Sequence, residues 1–251
     1  VVLPGFGSSE DTMKSALDLL HALKIKPQII SIEKAVMGHF GDIGHDPENR
    51  NVVYENAQAR ERTQILMNLA NAYNGLVIGT GDMSEIALGW STYNGDQMSM
   101  YGLNAGIPKT LIQDLILWYA RREGGELANA LLHILGRPIS PELLPPDKEG
   151  EIVQKTEEII GKYEVIDFIL YYTLQFTPIK EIFSLMEKAF PSLSREDIKE
   201  NLLRFYKRFM TQQFKRTASP HGIKLTEPSL VYFDMASDLN SLTFVKEIEN
   251  L

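Results

Sequence analysis

No cysteine occurs among the 251 residues, which excludes disulfide scaffolds, thiolate metal sites and thiol nucleophiles from this segment. Long apolar runs are also lacking. Stretches such as Leu115 to Ala120 fall far short of the roughly 18 residues that a membrane-spanning helix needs. Basic charge is in deficit, with 25 Lys and Arg against 33 Asp and Glu and a net charge of −8. That argues against a general nucleic-acid surface, which needs a positive surplus. The opening Val1-Val2-Leu3-Pro4 has no basic region of the kind that starts a signal peptide. Glycine (18) and proline (12) stand at ordinary levels, and 44% of residues are hydrophobic, enough to bury a core in one sizeable domain or a domain with an appendage. These features predict a soluble, cytoplasmic globular protein with neither nucleic acid nor membrane as partner. Because the chain opens without Met, they also predict a piece of a longer one.

What is present reads as an α/β pattern followed by a helical one. Val1–Leu3 predicts a strand ending at Pro4-Gly5, residues 12–23 a helix with Met13, Ala16, Leu17 and Leu20 on one stripe, and residues 27–32 a second strand. Strand, helix, strand with short links is the signature of a parallel sheet. Residues 36–51, with Gly38, Gly41, Gly44 and Pro47, read as a loop. A long helix is expected over 55–73, a buried strand over 76–79, a helix over 83–90, a polar stretch over 91–106 and a helix from Pro108 to Arg122. Beyond Gly136-Arg137-Pro138 the expectation is mostly helical, with helices over 162–174, 179–189 and 195–213. The division this implies is an α/β nucleotide-binding core over 1–140 and a helical C-terminal extension over 141–251.

In open parallel sheets, ligands bind beyond the carboxyl ends of strands, where helix N-termini present N–H groups to anions. Three such turns occur. Pro4-Gly5-Phe6-Gly7-Ser8-Ser9 could admit a nucleotide or could be a tight turn with a serine cap. In Gly79-Thr80-Gly81-Asp82-Met83-Ser84-Glu85, Asp82 and Glu85 could hold Mg²⁺ beside a triphosphate or could form a capping box. In Ile107-Pro108-Lys109-Thr110, proline at the helix start is ordinary, but Lys109 in the first turn opposes the helix dipole. A bound polyphosphate would reverse that penalty, and a solvated side chain is the alternative. The five histidines form no H-E-x-x-H pair and no G-x-S-x-G elbow exists, so zinc hydrolysis and a serine triad have no support. Lys207-Arg208 and Lys215-Arg216 form a basic spot near a helix end, suited to dipole neutralisation or to an anionic substrate group.

Six blocks carry a resemblance. Tyr54-Glu55-Asn56-Ala57-Gln58-Ala59-Arg60, the run from Leu76 to Tyr93, Gly95 to Ser99, Asn104 to Leu111, the spaced Gln154, Glu157, Gly161, Tyr163 and Asp167, and Gln212-Gln213-Phe214-Lys215-Arg216 together resemble the synthetase domain of glutamine-dependent NAD⁺ synthetase. The resemblance implies a three-layer, parallel-sheet ATP-pyrophosphatase-like fold. It implies Mg-ATP-dependent adenylation of the deamido-NAD⁺ carboxylate, then amidation by ammonia to give NAD⁺, AMP and pyrophosphate. Thr80, Lys109 and Ser140 would touch ATP, and Glu85 would sit at the metal and substrate end, with Glu85 and Lys109 as catalytic residues. Asn56, Arg60, Glu85, Trp90, Ser91, Thr92, Tyr93 and Lys215 would contact deamido-NAD⁺. Expected partners are a glutaminase domain in the parent chain and further copies in a homodimer or larger assembly, with the aromatic helix around Tyr171 as a plausible interface. The family's SGGxDS loop does not occur here, so this segment alone is expected to make no NAD⁺. Leu230 to Met235 and Thr156 also depart from the family pattern. A GMP synthetase-like ligase and a non-catalytic partner-binding remnant are the competing readings.

Overall fold

The computed structural model describes residues 1–145, 155–231 and 241–251. Gln154 and positions 232–235 of the divergent segment lie outside them. Two compact units divide the chain: Val1–Val77 with Thr92–Ser99 and Leu111–Thr156, and Ile78–Ser91 with Met100–Thr110 and Glu157–Leu251. Both units draw on residues before and after position 140. None of the helices among the described residues is long and apolar enough to cross a membrane.

In the first unit, α1 (Glu10–Ala22) starts at Ser9, whose hydroxyl accepts the Thr12 N–H at 3.1 Å. The two expected strands shrink to a single parallel bridge, Val2 with Ile29, extended by bonds from Ile30 N to Val2 O and from Ile32 N to Pro4 O. The Pro4–Ser9 turn is tight for a packing reason. A Cβ on Gly7 would lie 2.2 Å from the Glu142 carbonyl oxygen, so glycine is there to let the 142–143 backbone pass. Buried Gln58 ties the two passes together, accepting from Phe6 N and donating to Leu143 O at 2.7 Å.

The stretch expected to be a loop contains α2 (Glu33–Ile43), followed by α3 (Val52–Ala72). Two glycines inside α2 cost about 1 kcal/mol each. Burying Val36 and Phe40 one turn apart against Ile32, Tyr54 and Ala57 offsets more than that, at about 1.5–3 kcal/mol per side chain. A Cβ on Gly38 or Gly41 would meet nothing, so both face away from this core. Gly44, at φ 67°, ends α2 in the left-handed conformation. Asn51 caps α3 by accepting from Val53 N and Tyr54 N. His45, half-buried, packs its ring 4.8 Å from that of Phe40.

The second unit opens with β1 (Ile78–Gly79), then α4 (Met83–Leu88) and β2 (Tyr101–Gly102). β1 and β2 pair in parallel, Ile78 opposite Tyr101 and Gly79 opposite Gly102. Gly102 also bridges to Gly222. The strand β2 lies in the stretch read as merely polar, where two residues are too short to show alternation. After β2 come α5 (Lys109–Glu123), whose first two residues belong to this unit, and α6 (Gly125–Leu135), which lies wholly in the first unit and packs there on α1. The remaining helices are α7 (Thr156–Ile160), α8 (Tyr163–Leu174), α9 (Ile179–Ala189), α10 (Arg195–Thr211), α11 (Gln213–Thr217) and α12 (Ser241–Glu249). Helix α10 is the hub. It starts at a Ser194–Asp197 capping box and buries Ile198, Leu202, Phe205, Tyr206 and Phe209 at helical spacing, packing on α4, α8, α9 and α12. Along α8, Tyr163 is buried and Tyr171 is exposed.

Candidate functional site

The exit of β1 and the start of α5 meet within the second unit. Asp82 caps α4 by accepting the Glu85 N–H at 2.9 Å, and Glu85 returns a carboxylate oxygen to the Asp82 N–H. The capping-box reading of this turn therefore holds. It does not exhaust the two carboxylates, because both also reach Lys109. The ammonium lies 2.5 Å from Asp82 Oδ2 and 2.7 Å from Glu85 Oε1, with the Tyr163 ring 5.5 Å away. Lys109 is thus neither solvated nor left against its helix dipole; carboxylates one loop away neutralise it. Thr80, two residues before Asp82, is exposed.

The N–H groups expected to be open to an anion are spoken for. Lys109 N donates to Ser84 Oγ at 2.9 Å and Thr110 N to Asp167 Oδ2 at 3.0 Å. Ser84 in turn donates to Asp167. An anion at this end of α5 would therefore be gripped by the Lys109 ammonium rather than by backbone.

Burial, then the neighbouring Asp82 charge, pushes Glu85 up to about 7, with Lys109 pulling the other way. Burial disfavours the Lys109 ammonium, but Asp82 and Glu85 outweigh it and hold its proton more tightly than usual. Burial, then nearby carboxylates led by Glu85, raises the Tyr163 phenol. Its hydroxyl is buried with no hydrogen-bond partner among the described residues. A buried, unsatisfied polar group costs about 1–3 kcal/mol, so Tyr163→Phe should leave the midpoint of urea unfolding unchanged or raise it. A loss above about 1 kcal/mol would mean that the hydroxyl has a partner after all.

The basic spot gathers at the carbonyl end of α4. Arg216 Nη1 donates to Ala87 O at 2.7 Å, Arg208 Nε to Leu88 O at 3.3 Å, and Lys215 Nζ to Gly89 O and Ser91 O at 2.9 and 2.6 Å. Gly89, at φ 55°, turns the chain there, and a Cβ on it would sit 2.5 Å from Gln212 Cβ. The dipole-neutralising reading is the one seen here, and Arg208 also covers the Trp90 ring at 5.2 Å. Burial alone lowers Arg216 to about 10.

Of the residues expected at the site, this unit brings Glu85 and Lys109 into contact, and Lys215 onto the Gly89 and Ser91 carbonyls beside Trp90. Asn56, Arg60, Thr92 and Tyr93 gather in the first unit. There Thr92 Oγ1 donates to Asn56 Oδ1 at 2.8 Å, and Arg60 Nε to Tyr93 O at 3.2 Å. Thr92 is buried, so its hydroxyl serves to orient Asn56. Ser140 Oγ accepts the Glu142 N–H at 3.2 Å. Ser84 and Asp167 stand in the blocks quoted from sequence but receive no role there, since their meeting spans 83 positions and leaves no local pattern.

Both Glu85 oxygens are engaged, and no three carboxylate or histidine side chains among the described residues are placed to hold a metal ion. The donor set fits only a cation that takes one carboxylate here and the rest of its ligands from phosphates and water, as Mg²⁺ does.

Comparison with known proteins places the chain in a family. The model of the NAD synthase family matches residues 1–219. The chain is 37% identical to the glutamine-dependent NAD(+) synthetase of Mycobacterium leprae over 98% of its length, covering 41% of that protein. It is 38% identical to that of Mycobacterium tuberculosis strain H37Rv over 89% of its length, covering 36% of the relative. It therefore spans about two-fifths of the curated relatives it matches. Among solved structures, the glutamine-dependent NAD(+) synthetase of Cytophaga hutchinsonii shares the fold with TM-score 0.76 at 17% identity, over 98% of this chain and 40% of that one. The NMN synthetase of Francisella tularensis does so with TM-score 0.60 at 23% identity, over 85% and 74%. With the family model matched over residues 1–219 and relatives 37–38% identical over 98% and 89% of its length, the chain belongs to the NAD synthase family.

Proposed function

We propose that this chain is the synthetase part of a cytoplasmic, glutamine-dependent NAD⁺ synthetase, a carbon–nitrogen ligase that adenylates the deamido-NAD⁺ carboxylate with ATP and then amidates it with ammonia. In the longer parent, a glutaminase portion supplies the ammonia and the chains assemble as homodimers or larger. The parallel pairings belong there to a three-layer ATP-pyrophosphatase-type core. The observation that carries the reading is the Lys109 ammonium between Asp82 and Glu85 at the exit of β1.

The chemistry suits these residues. A carboxylate is a poor electrophile, and adenylation converts its oxygen into a leaving group. The protein's part is to position the reactants and neutralise charge. Lys109 exchanges its carboxylate partners for ATP phosphates, and exposed Thr80 meets the nucleotide at the strand exit, with Ser140 as a further hydroxyl toward ATP. Glu85 is the single carboxylate offered to Mg²⁺, which when bound supplies further neutralisation of the triphosphate. Asn56, held by Thr92, and Arg60, bonded to the Tyr93 carbonyl, bind deamido-NAD⁺. Trp90, Ser91 and Lys215 do so at the end of α4, and Glu85 touches the same substrate. Because Glu85 N, Lys109 N and Thr110 N are already accepted by side chains, the pyrophosphate needs another backbone cradle. The SGGxDS loop, which does not occur in these residues, fills that part in the family.

Calorimetric titration tests the assignment. The chain should bind Mg-ATP and deamido-NAD⁺, yet form no NAD⁺ when both are supplied with ammonium. Silence with both nucleotides overturns the synthetase reading. Full turnover overturns the dependence on a missing loop.

A further inference from the structure

Helix α5 begins at Lys109 directly after Pro108, which carries no side-chain oxygen to accept the first N–H groups. Exposed helix starts solve this with a Ser, Thr, Asp or Asn one residue earlier. Here the oxygens come from 25 residues upstream and 57 downstream. Ser84 on α4 accepts the Lys109 N–H at 2.9 Å. Asp167 on α8 accepts Thr110 N at 3.0 Å and Thr110 Oγ1 at 2.7 Å on one oxygen, and the Ser84 hydroxyl on the other. One carboxylate therefore joins three helices. Ser84 and Glu85 are neighbours on α4, and Thr110 and Lys109 are neighbours on α5, so the joint lies one residue from the ion pair on each side.

We propose that Asp167 is a positioning residue for Lys109, and that by holding Ser84 and Thr110 together it sets the ammonium between Asp82 and Glu85. Asp167 makes no ion pair of its own with Lys109 among the described contacts; its action passes through the two hydroxyl residues. Charge suits the role. An ionised carboxylate at the first turn favours the helix dipole, and its three accepted bonds leave little freedom in where α5 starts. An amide at 167 keeps an acceptor for Thr110, but presents N–H groups where Ser84 now donates. The functional consequence rests on the preceding reading of Lys109 as the lysine that meets phosphate; the structural claim does not.

The test separates the two. Lys109 is acylated with a water-soluble amine-reactive ester, and its initial rate is read by peptide mass spectrometry relative to exposed Lys162. Asp167→Ala should raise the relative rate several-fold, and Asp167→Asn by less. Leu174→Ala, at a buried position two turns beyond Asp167 on the same helix, serves as a control that loses stability and should leave the ratio at the wild-type value. Mg-ATP affinity should weaken in the same order, Ala more than Asn. An unchanged Lys109 rate in Asp167→Ala, or an equal rise in Leu174→Ala, overturns the positioning role. Absence of ATP binding by the wild-type chain overturns only the nucleotide reading, since the acylation ratios still decide whether Asp167 holds Lys109.

Discussion

Replacing Lys109 with methionine should destabilise the protein by about 3–5 kcal/mol near pH 8, the usual consequence of removing one partner from a buried ion pair. The side chain of Asp82 is fully buried and those of Lys109 and Glu85 are 18% and 23% exposed, so water replaces the lost ammonium only in part. The penalty depends on pH, with a definite sign. Glu85 already titrates at about 7 rather than at the ordinary 4.5. Without the lysine, which lowers it, the value rises further. Between pH 4.5 and 7 both proteins lose stability, because folded Glu85 keeps a proton that the unfolded chain has released; above 7 only the variant goes on losing it, so the penalty grows there. Urea unfolding should therefore show a much smaller Lys109→Met penalty at pH 5 than at pH 8. Equal penalties at the two pH values would show that the carboxylates do not need the ammonium. The same substitution should abolish Mg-ATP binding if Lys109 meets phosphate.

Phe209→Ala should cost about 3–5 kcal/mol, the range for deleting a buried aromatic ring. Phe209 is fully buried and stacks on Phe205, with ring centroids 5.5 Å apart. It also seats Arg216, whose guanidinium lies 4.2 Å over the ring and also donates to the Phe209 carbonyl. Losing the ring loosens a desolvated cation that holds the Ala87 carbonyl, so the effect reaches the turn that carries Trp90 and Ser91. Phe209→Leu keeps most of the volume and should cost less than half as much. The check is the urea midpoint at unchanged slope. A loss below about 1 kcal/mol would place the core of this unit elsewhere.

The helical half of the fold was legible because its signals are local. Ser194 with Asp197, and apolar residues from Ile198 to Phe209 at helical spacing, state a capped amphipathic helix without reference to anything else. Asp82 with Glu85 likewise announced a capping box. The strands were legible in direction but not in extent: Val2 and Ile29 bridge as expected, yet pairing length depends on what lies beside an edge. The loop expected at 36–51 failed for a specific reason. Glycine counts as a breaker only until its helix buries a pair such as Val36 and Phe40, and that energy depends on Tyr54, which sequence does not place beside them.

From residues alone came the family blocks, the helix and strand types, and the oddity of a lysine at a helix start. The cause of that oddity was decided only by tertiary structure. Asp82, Glu85, Ser84 and Asp167 converge on Lys109 and Thr110 from segments far apart in the chain, and desolvation makes each of those contacts strong. Charge and capping preferences act over one turn and can be read along a sequence. Burial depends on which distant segments exclude water together, and no run of neighbouring letters contains it.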